Sequence, residues 1–265
     1  MLLAALILLL APAQAEPSGP AAVEEQRIGA PEANQGVVAD ARYLYAIDNA
    51  RIAKIDRRTG KVAARWQGDP RRYKHMNSCT LHARRLVCAA SNYPDVPMAS
   101  SVETFDADTL RPVSSRSLGP GRGSLTWLTW HDGSWWACFA NYEGKGGEPG
   151  RDNRWTTLVR YSADFAEQGA WIFPPEVLAR MAPKSASGGD WNRDGYLYVT
   201  GHDRPEMYVL KLPQAGPVLE LVTTIAVPVE GQAIAWDPVD PRLLWGISRG
   251  KAEMVAARVP VVTAR

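Results

Sequence analysis

At 265 residues, with 46% apolar side chains, ten Trp and nine Tyr, the chain has ample material for a packed β core and is not composed like a disordered, collagenous or coiled-coil protein. Its 30 basic and 28 acidic residues are well mixed, for a net charge of +2, and no Lys/Arg block or basic helix marks it as a nucleic-acid binder.

Leu2 to Leu10 is a short apolar run, and Ala13-Gln14-Ala15 gives a small-x-small cleavage pattern before Glu16, although the usual basic start is missing. Residues 1–15 are therefore expected to be a signal peptide. About 12 apolar residues are too few for an ordinary transmembrane helix, and no later stretch is apolar enough to span. The protein is expected to be secreted or periplasmic, with no transmembrane segment after leader removal, and monomeric. Residues 16–26, which include Pro17, Gly19 and Pro20, are expected to form a flexible mature N-terminus, and residues 27–265 a single domain.

From there the chain repeats one phrase. Leu44-Tyr-Ala-Ile47, Leu86-Val-Cys-Ala89, Trp135-Trp-Ala-Cys138, Leu197-Tyr-Val-Thr200 and Leu244-Trp-Gly-Ile247 are β-rich runs, each preceded by a turn built from Asp, Gly, Arg or Pro. A second set of strands ends at Ile55, Phe105, Tyr161, Leu212 and Val259, about 50 residues apart, each followed by a polar residue or Pro. Ser187 to Leu212 shows the whole phrase: three strands broken at Arg193-Asp-Gly195 and at Gly201-His-Asp203. Five copies predict an all-β, five-bladed β-propeller with four-stranded blades. Six blades are the alternative count, and a sandwich of unrelated hairpins the competing fold. Too little chain follows Val259 for a fourth strand in the last blade, and Val23 to Gly29 is placed to supply it, closing the ring without an orphaned sheet edge.

Cys79 and Cys88 flank the turn His82 to Arg85 at equal distances, so a hairpin pairing Leu81 with Leu86 sets them opposite one another. A cross-strand disulfide and two buried thiols are both open, and Cys138 lies in an aromatic strand. Two insertions interrupt the rhythm: the Gly-rich charged loop Tyr142 to Arg154, and Pro174 to Ala186, where Val177, Leu178 and Met181 predict a short helix lying on the ring.

Together with the repeated phrases, Ser91-Asn-Tyr-Pro94, Gly123-Ser-Leu-Thr-Trp127, Thr200-Gly-His-Asp203 and Gly231-Gln-Ala-Ile-Ala-Trp236 resemble exported propellers of the quinoprotein-like and NHL-like type over about residues 30 to 260. A more distant likeness is to gluconolactonase and senescence-marker propellers. That likeness implies a divalent cation at the channel mouth and a carboxylate at the strand entry of the first blade, where this chain has Asn34 and Gln35.

In a propeller, the entry to each innermost strand and the exit from each second strand share a face. Entries then supply Gln35, Asn77, Ser124, Ser187 and Gln232, with His75, Asp190 and Trp127 close by. Exits supply Asn49, Asn92, Tyr93, Asn141, Tyr142, His202, Asp203 and Arg249. Amides and hydroxyls beside aromatic rings suit a small polar ligand, a carbohydrate among them. A hydrated structural ring is the plainer account of the same polarity.

A second reading is hydrolase or lyase chemistry of lactonase or glycosidase kind, with His202 or His75 as base and Asp190 or Asp203 as acid. Asn77, Asn141, Asp190 and Asp203 would be the oxygen ligands of a cation such as calcium. A third reading makes the protein a scaffold for protein partners, contacted through the 142–154 loop. His82 and His131 fall in turns on the opposite face and have no expected role. Phosphate loops, nucleophile elbows and zinc spacings are absent from the sequence.

Overall fold

A computed structural model describes residues 19–263; the expected signal peptide at 1–15 lies outside the described residues. Five four-stranded antiparallel sheets stand around a central channel, the arrangement of a five-bladed β-propeller. The described chain begins with β1 (Val23–Gly29). The first blade holds β2 (Gly36–Ala39), β3 (Tyr43–Asp48), β4 (Arg51–Asp56) and β5 (Val62–Gln67). The second holds β6 (His75–His82), β7 (Arg85–Ser91), β8 (Ala99–Asp106) and β9 (Pro112–Pro120), and the third β10 (Ser124–His131), β11 (Ser134–Ala140), β12 (Thr157–Tyr161) and β13 (Glu167–Ile172). A short helix, α1 (Pro175–Met181), leads to the fourth blade: β14 (Gly188–Trp191), β15 (Leu197–Thr200), β16 (Glu206–Lys211) and β17 (Glu220–Ala226). The fifth has β18 (Ala235–Trp236), β19 (Leu243–Ser248) and β20 (Glu253–Arg258), completed by β1 on β20. Among the described residues, no helix is long and apolar enough to cross a membrane.

The burial pattern follows from position in the blade. Second strands are covered on both faces by neighbouring blades, so runs such as Leu44–Ile47 and Trp135–Cys138 are apolar throughout. Outer strands β5 and β9 keep most of their residues in solvent. Between the first and second blades pack Ile47, Ile52, Leu86 and Phe105. Trp127, Trp136, Trp191 and Tyr208 fill the space between the third and fourth, where the apolar face of α1 (Val177, Leu178, Met181) also settles. In the first two blades an Asp ends the third strand: Asp56 Oδ1 accepts from Arg58 N, Thr59 N and Thr59 Oγ1, and Asp106 repeats the device with Asp108 and Thr109.

Strand pairing and an ion pair both help to close the ring. β1 pairs antiparallel with β20 from Val23 opposite Arg258 to Gly29 opposite Glu253. Ordered contacts thus begin inside the stretch expected to be loose, with Ala21 bridged to Ala226 and then β1 covering β20, which would otherwise expose an unpaired edge. The ion pair joins the turn after β4 to the end of β18, where Arg57 pairs with the buried Asp237. Cys79 and Cys88 face each other across β6 and β7 and form a disulfide; Cys138 is a buried free thiol.

Candidate functional site

At the strand-entry end of the channel lies a cavity of about 200 Å³, below the ~300–1,000 Å³ typical of drug-sized ligands and suited to a small metabolite. Every blade contributes to its lining. Gln35 enters from the first blade, His75, Asn77 and Tyr93 from the second, Thr126 and Tyr142 from the third, Ser187 and His202 from the fourth, and Gln232 and Arg249 from the fifth. Two of these positions depend on β-bulges. The register slips between Met76 and Ser78 on β6 and between Leu125 and Trp127 on β10. The extra residues are Asn77 and Thr126, and both line the mouth.

His75 is oriented by a short relay that begins at a carboxylate. Asp48 Oδ1 accepts from Asn34 Nδ2 at 2.8 Å, from Asn49 N at 2.8 Å and from Asn49 Nδ2 at 3.2 Å, while Arg51 Nε donates to Oδ2 at 2.9 Å. Burial works to raise the Asp48 pKa, but these donors outweigh it and hold the carboxyl below its usual range. With its amide nitrogen committed to Asp48, Asn49 turns Oδ1 toward Gln35 Nε2 (3.2 Å) and His75 Nδ1 (2.7 Å). His75 Nδ1 must therefore carry the proton, and Nε2 keeps its lone pair. Burial draws the imidazole down to about 4, the nearby His202 adds to this, and Asp48 opposes it. His75 is thus a neutral acceptor at neutral pH, with its ring 4.8 Å from that of Tyr93.

His202 sits between Asp203, which faces Nδ1, and Arg249, whose Nη1 lies 3.0 Å from Nε2. A guanidinium only donates, so Nε2 accepts and Nδ1 holds the proton. Burial lowers the His202 pKa; Asp203 works against the shift, and Arg249 and Lys184 reinforce it. Its lone pair is already engaged by Arg249, which leaves His75 as the imidazole with an open basic nitrogen. The His202–Asp203 pair forms because the chain turns after β15.

Lys184, absent from the sequence expectations, completes the wall. It follows α1 on the insertion, and its backbone is fixed: Asn153 Nδ2 donates to Lys184 O at 3.1 Å and to Leu178 O at 2.8 Å, and Glu143 N donates to Pro183 O at 3.0 Å. Lys184 Nζ lies 5.8 and 5.7 Å from the ring centres of Tyr93 and Tyr142. The 142–154 loop presses from outside, with Gly146 (φ +79°) so close to Tyr93 that a Cβ would fall 2.3 Å from the ring. Opposite, Gln232 is held at φ 73°, and its buried Nε2 has no hydrogen-bond partner.

Of the expected residues, Gln35, His75, Asn77, Tyr93, Tyr142, Ser187, His202, Gln232 and Arg249 come together at this mouth. The others do not join them. Asp190 and Trp127 line a second cavity of about 260 Å³ farther along the channel, with His82, Thr129, Trp130 and Trp236. The bulge at Thr126 displaces Trp127 from the mouth, and its indole packs over Gly189, where a Cβ would meet the ring at 2.6 Å.

Asp190 joins three blades, accepting from Thr129 Oγ1 at 2.6 Å, Trp191 N at 3.0 Å and Trp236 N at 3.2 Å. Burial pushes its pKa up to about 6 against those bonds. Ser124 is buried behind the wall, its hydroxyl 2.8 Å from that of Ser91. Asn92 organises its own loop by donating to Pro97 O and accepting from Ala99 N. Asn141 spends Nδ2 on Arg122 O and Trp155 O.

The four oxygens expected around a cation are consequently dispersed. Asn77 is the one of the four that lines the mouth, its Nδ2 donating to Leu125 O, whereas Asn141 is buried in the wall, Asp190 stands in the other cavity, and Asp203 is on the exposed rim. This donor set does not fit a calcium site. Among the described residues, no three His, Cys, Asp or Glu side chains cluster as metal ligands. Asp190 lines the other cavity, so it does not stand beside His202 or His75 as the expected acid to their base.

No family model matches the chain, and no curated protein matches it in sequence. Among solved structures it is similar to a luciferin-regenerating enzyme, with a TM-score of 0.52 and 11% identity over 93% of this chain and 97% of the other. It is also similar to hydrazine synthase of Kuenenia stuttgartiensis, with a TM-score of 0.50 and 10% identity over 86% and 83%. At these identities the likeness establishes a β-propeller fold and does not single out the quinoprotein-like, NHL-like or gluconolactonase type.

Proposed function

We propose that the protein is an exported β-propeller that binds a small polar ligand at the channel mouth. The observation that carries this reading is the convergence of side chains from all five blades on one cavity, with His75 oriented through Asn49 and Asp48 and a buried Gln232 amide left unpartnered. Neutral amides and hydroxyls supply directional partners, and Tyr93 and Tyr142, edge to face at 5.5 Å, supply apolar wall. A hydroxylated ring compound matches that mixture. Export rests on the leader sequence and agrees with the Cys79–Cys88 disulfide.

The hydrolase or lyase alternative retains His75 as a base, but no lining carboxylate stands ready as its acid. The scaffold alternative keeps an exposed surface on the 142–154 loop, at Glu143, Lys145 and Pro149, but the same loop also braces the mouth through Gly146 against Tyr93 and Glu143 N on Pro183 O.

A thermal-shift screen of sugars, sugar acids and other polar metabolites tests the reading. A ligand at 100 times its dissociation constant adds ~2.7 kcal/mol of stability, and Tyr93→Ala should remove that shift. A screen with no hits, or hits indifferent to both Tyr93→Ala and Gln232→Ala, would contradict binding at the mouth.

A further inference from the structure

We infer that the ligand is a hydroxylated anion, whose carboxylate or phosphate sits between Lys184 and Arg249 while a hydroxyl donates to His75 Nε2. This rests on the mouth being the binding site and adds the chemical class of what it takes. Only two lining side chains carry charge at neutral pH, and both are positive. The two imidazoles are neutral, with burial lowering both pKa values and His75 drawn to about 4.

The nearest carboxylates are already committed. Asp48 stands behind Asn34 and Asn49 and pairs with Arg51, and Asp203 faces His202 Nδ1 from the rim. Among the described residues, neither Lys184 nor Arg249 forms an ion pair: Lys184 Nζ is 3.5 Å from Tyr93 Oη, and Arg249 Nη1 meets His202 Nε2. Arg51, Arg57 and Arg180, by contrast, are each matched with a carboxylate.

The two cations are also arranged in advance. The Asn153 and Pro183 contacts fix the backbone that presents Lys184. The contact with His202 uses one Arg249 N–H and leaves the rest of its donor fork for an oxyanion. Gln232 Nε2 is a further donor without a partner. A neutral sugar would leave the half-buried Lys184 and the exposed rim cation Arg249 without a counter-charge, since the lining has no acid. A simple anion without hydroxyls would give His75 Nε2 nothing to accept from. A hydroxylated acid or a phosphorylated polyol answers both.

Calorimetric titration of the wild-type protein with inorganic phosphate, D-glucuronate and D-glucose tests this. At least one anion should bind tenfold or more tightly than glucose, and added salt should weaken it. Phosphate and glucuronate, set against each other, tell a phosphate site from a carboxylate site. Lys184→Gln and Arg249→Gln should each weaken the anion about tenfold, or ~1.4 kcal/mol, and an unchanged ligand-free melting temperature would separate this from misfolding. The inference fails if neither anion binds in the millimolar range, or if both variants bind it undiminished. If glucose binds as tightly as both anions and Tyr93→Ala abolishes its binding, the anion assignment falls while the mouth remains the site.

Discussion

Replacing Asp237 by alanine should cost about 3–5 kcal/mol of stability, because it removes a buried carboxylate at the seam where the ring closes and strands its half-buried cation, Arg57. Its side chain is 1% exposed, pairs with Arg57 of the first blade and accepts from Trp245 Nε1 at 3.0 Å, Val239 N at 2.9 Å and Asp240 N at 3.1 Å. Burial alone would raise its pKa, but these partners hold it below the ordinary carboxylate range. One substitution therefore removes an ion pair, an indole acceptor and a turn cap together. Denaturant titration of the variant should show a large drop in midpoint. A loss within ~0.5 kcal/mol, the range of ordinary surface changes, would mean that β1 on β20 closes the ring unaided.

The second large effect is a pH dependence owed to His75. Its folded value of about 4 lies below the ordinary imidazole value of 6.5, so between these values the unfolded chain binds more protons than the folded one. Stability from this group is fully present above about pH 6.5 and is lost as pH falls toward 4. The gap amounts to at most about 3 kcal/mol.

Asp190 acts in the opposite sense. With a folded value of about 6 against 3.8, it contributes stability that declines as pH rises through the same window. The comparison of wild type with His75→Gln cancels Asp190 and isolates the histidine. Urea midpoints at pH 7.5 and 4.5 should show the wild type losing about 2–3 kcal/mol more than the variant on acidification. Parallel losses would place a solvated, ordinary imidazole at position 75.

The architecture is legible in the sequence because each blade restates the same physics. A doubly covered second strand must be apolar, as in Leu44–Ile47 and Leu244–Ile247, and each third strand must stop at a turn, as at Asp56 and Asp106. The closing strand is legible too, since Val23–Gly29 is the one early segment able to cover the edge of β20.

The mouth is legible where topology alone decides, as for Gln35, Ser187 and Gln232 at strand entries. It is not legible where local geometry intervenes. One bulge at Thr126 exchanges which residue faces the channel, and no composition signal distinguishes Thr126 from Trp127 as the inserted residue. Asp190 is two residues into a four-residue strand, deep enough to leave the mouth for the other cavity. Lys184 is brought in by an insertion whose path depends on Asn153, 31 positions earlier. The insertion itself is legible as a short helix lying on the ring, but the placement of its cation is not.

Ligand binding at the mouth is the central proposal for this protein. Amide and side-chain NMR shifts, mapped on the wild-type protein with whichever metabolite raises its melting temperature, test this directly. Perturbations are expected to group at Gln35, His75, Asn77, Thr126, Ser187 and Gln232, with the Tyr93 and Tyr142 rings. Perturbations grouped instead at Thr129, Trp130, Asp190 and Trp236 would put the ligand in the second cavity and contradict binding at the mouth.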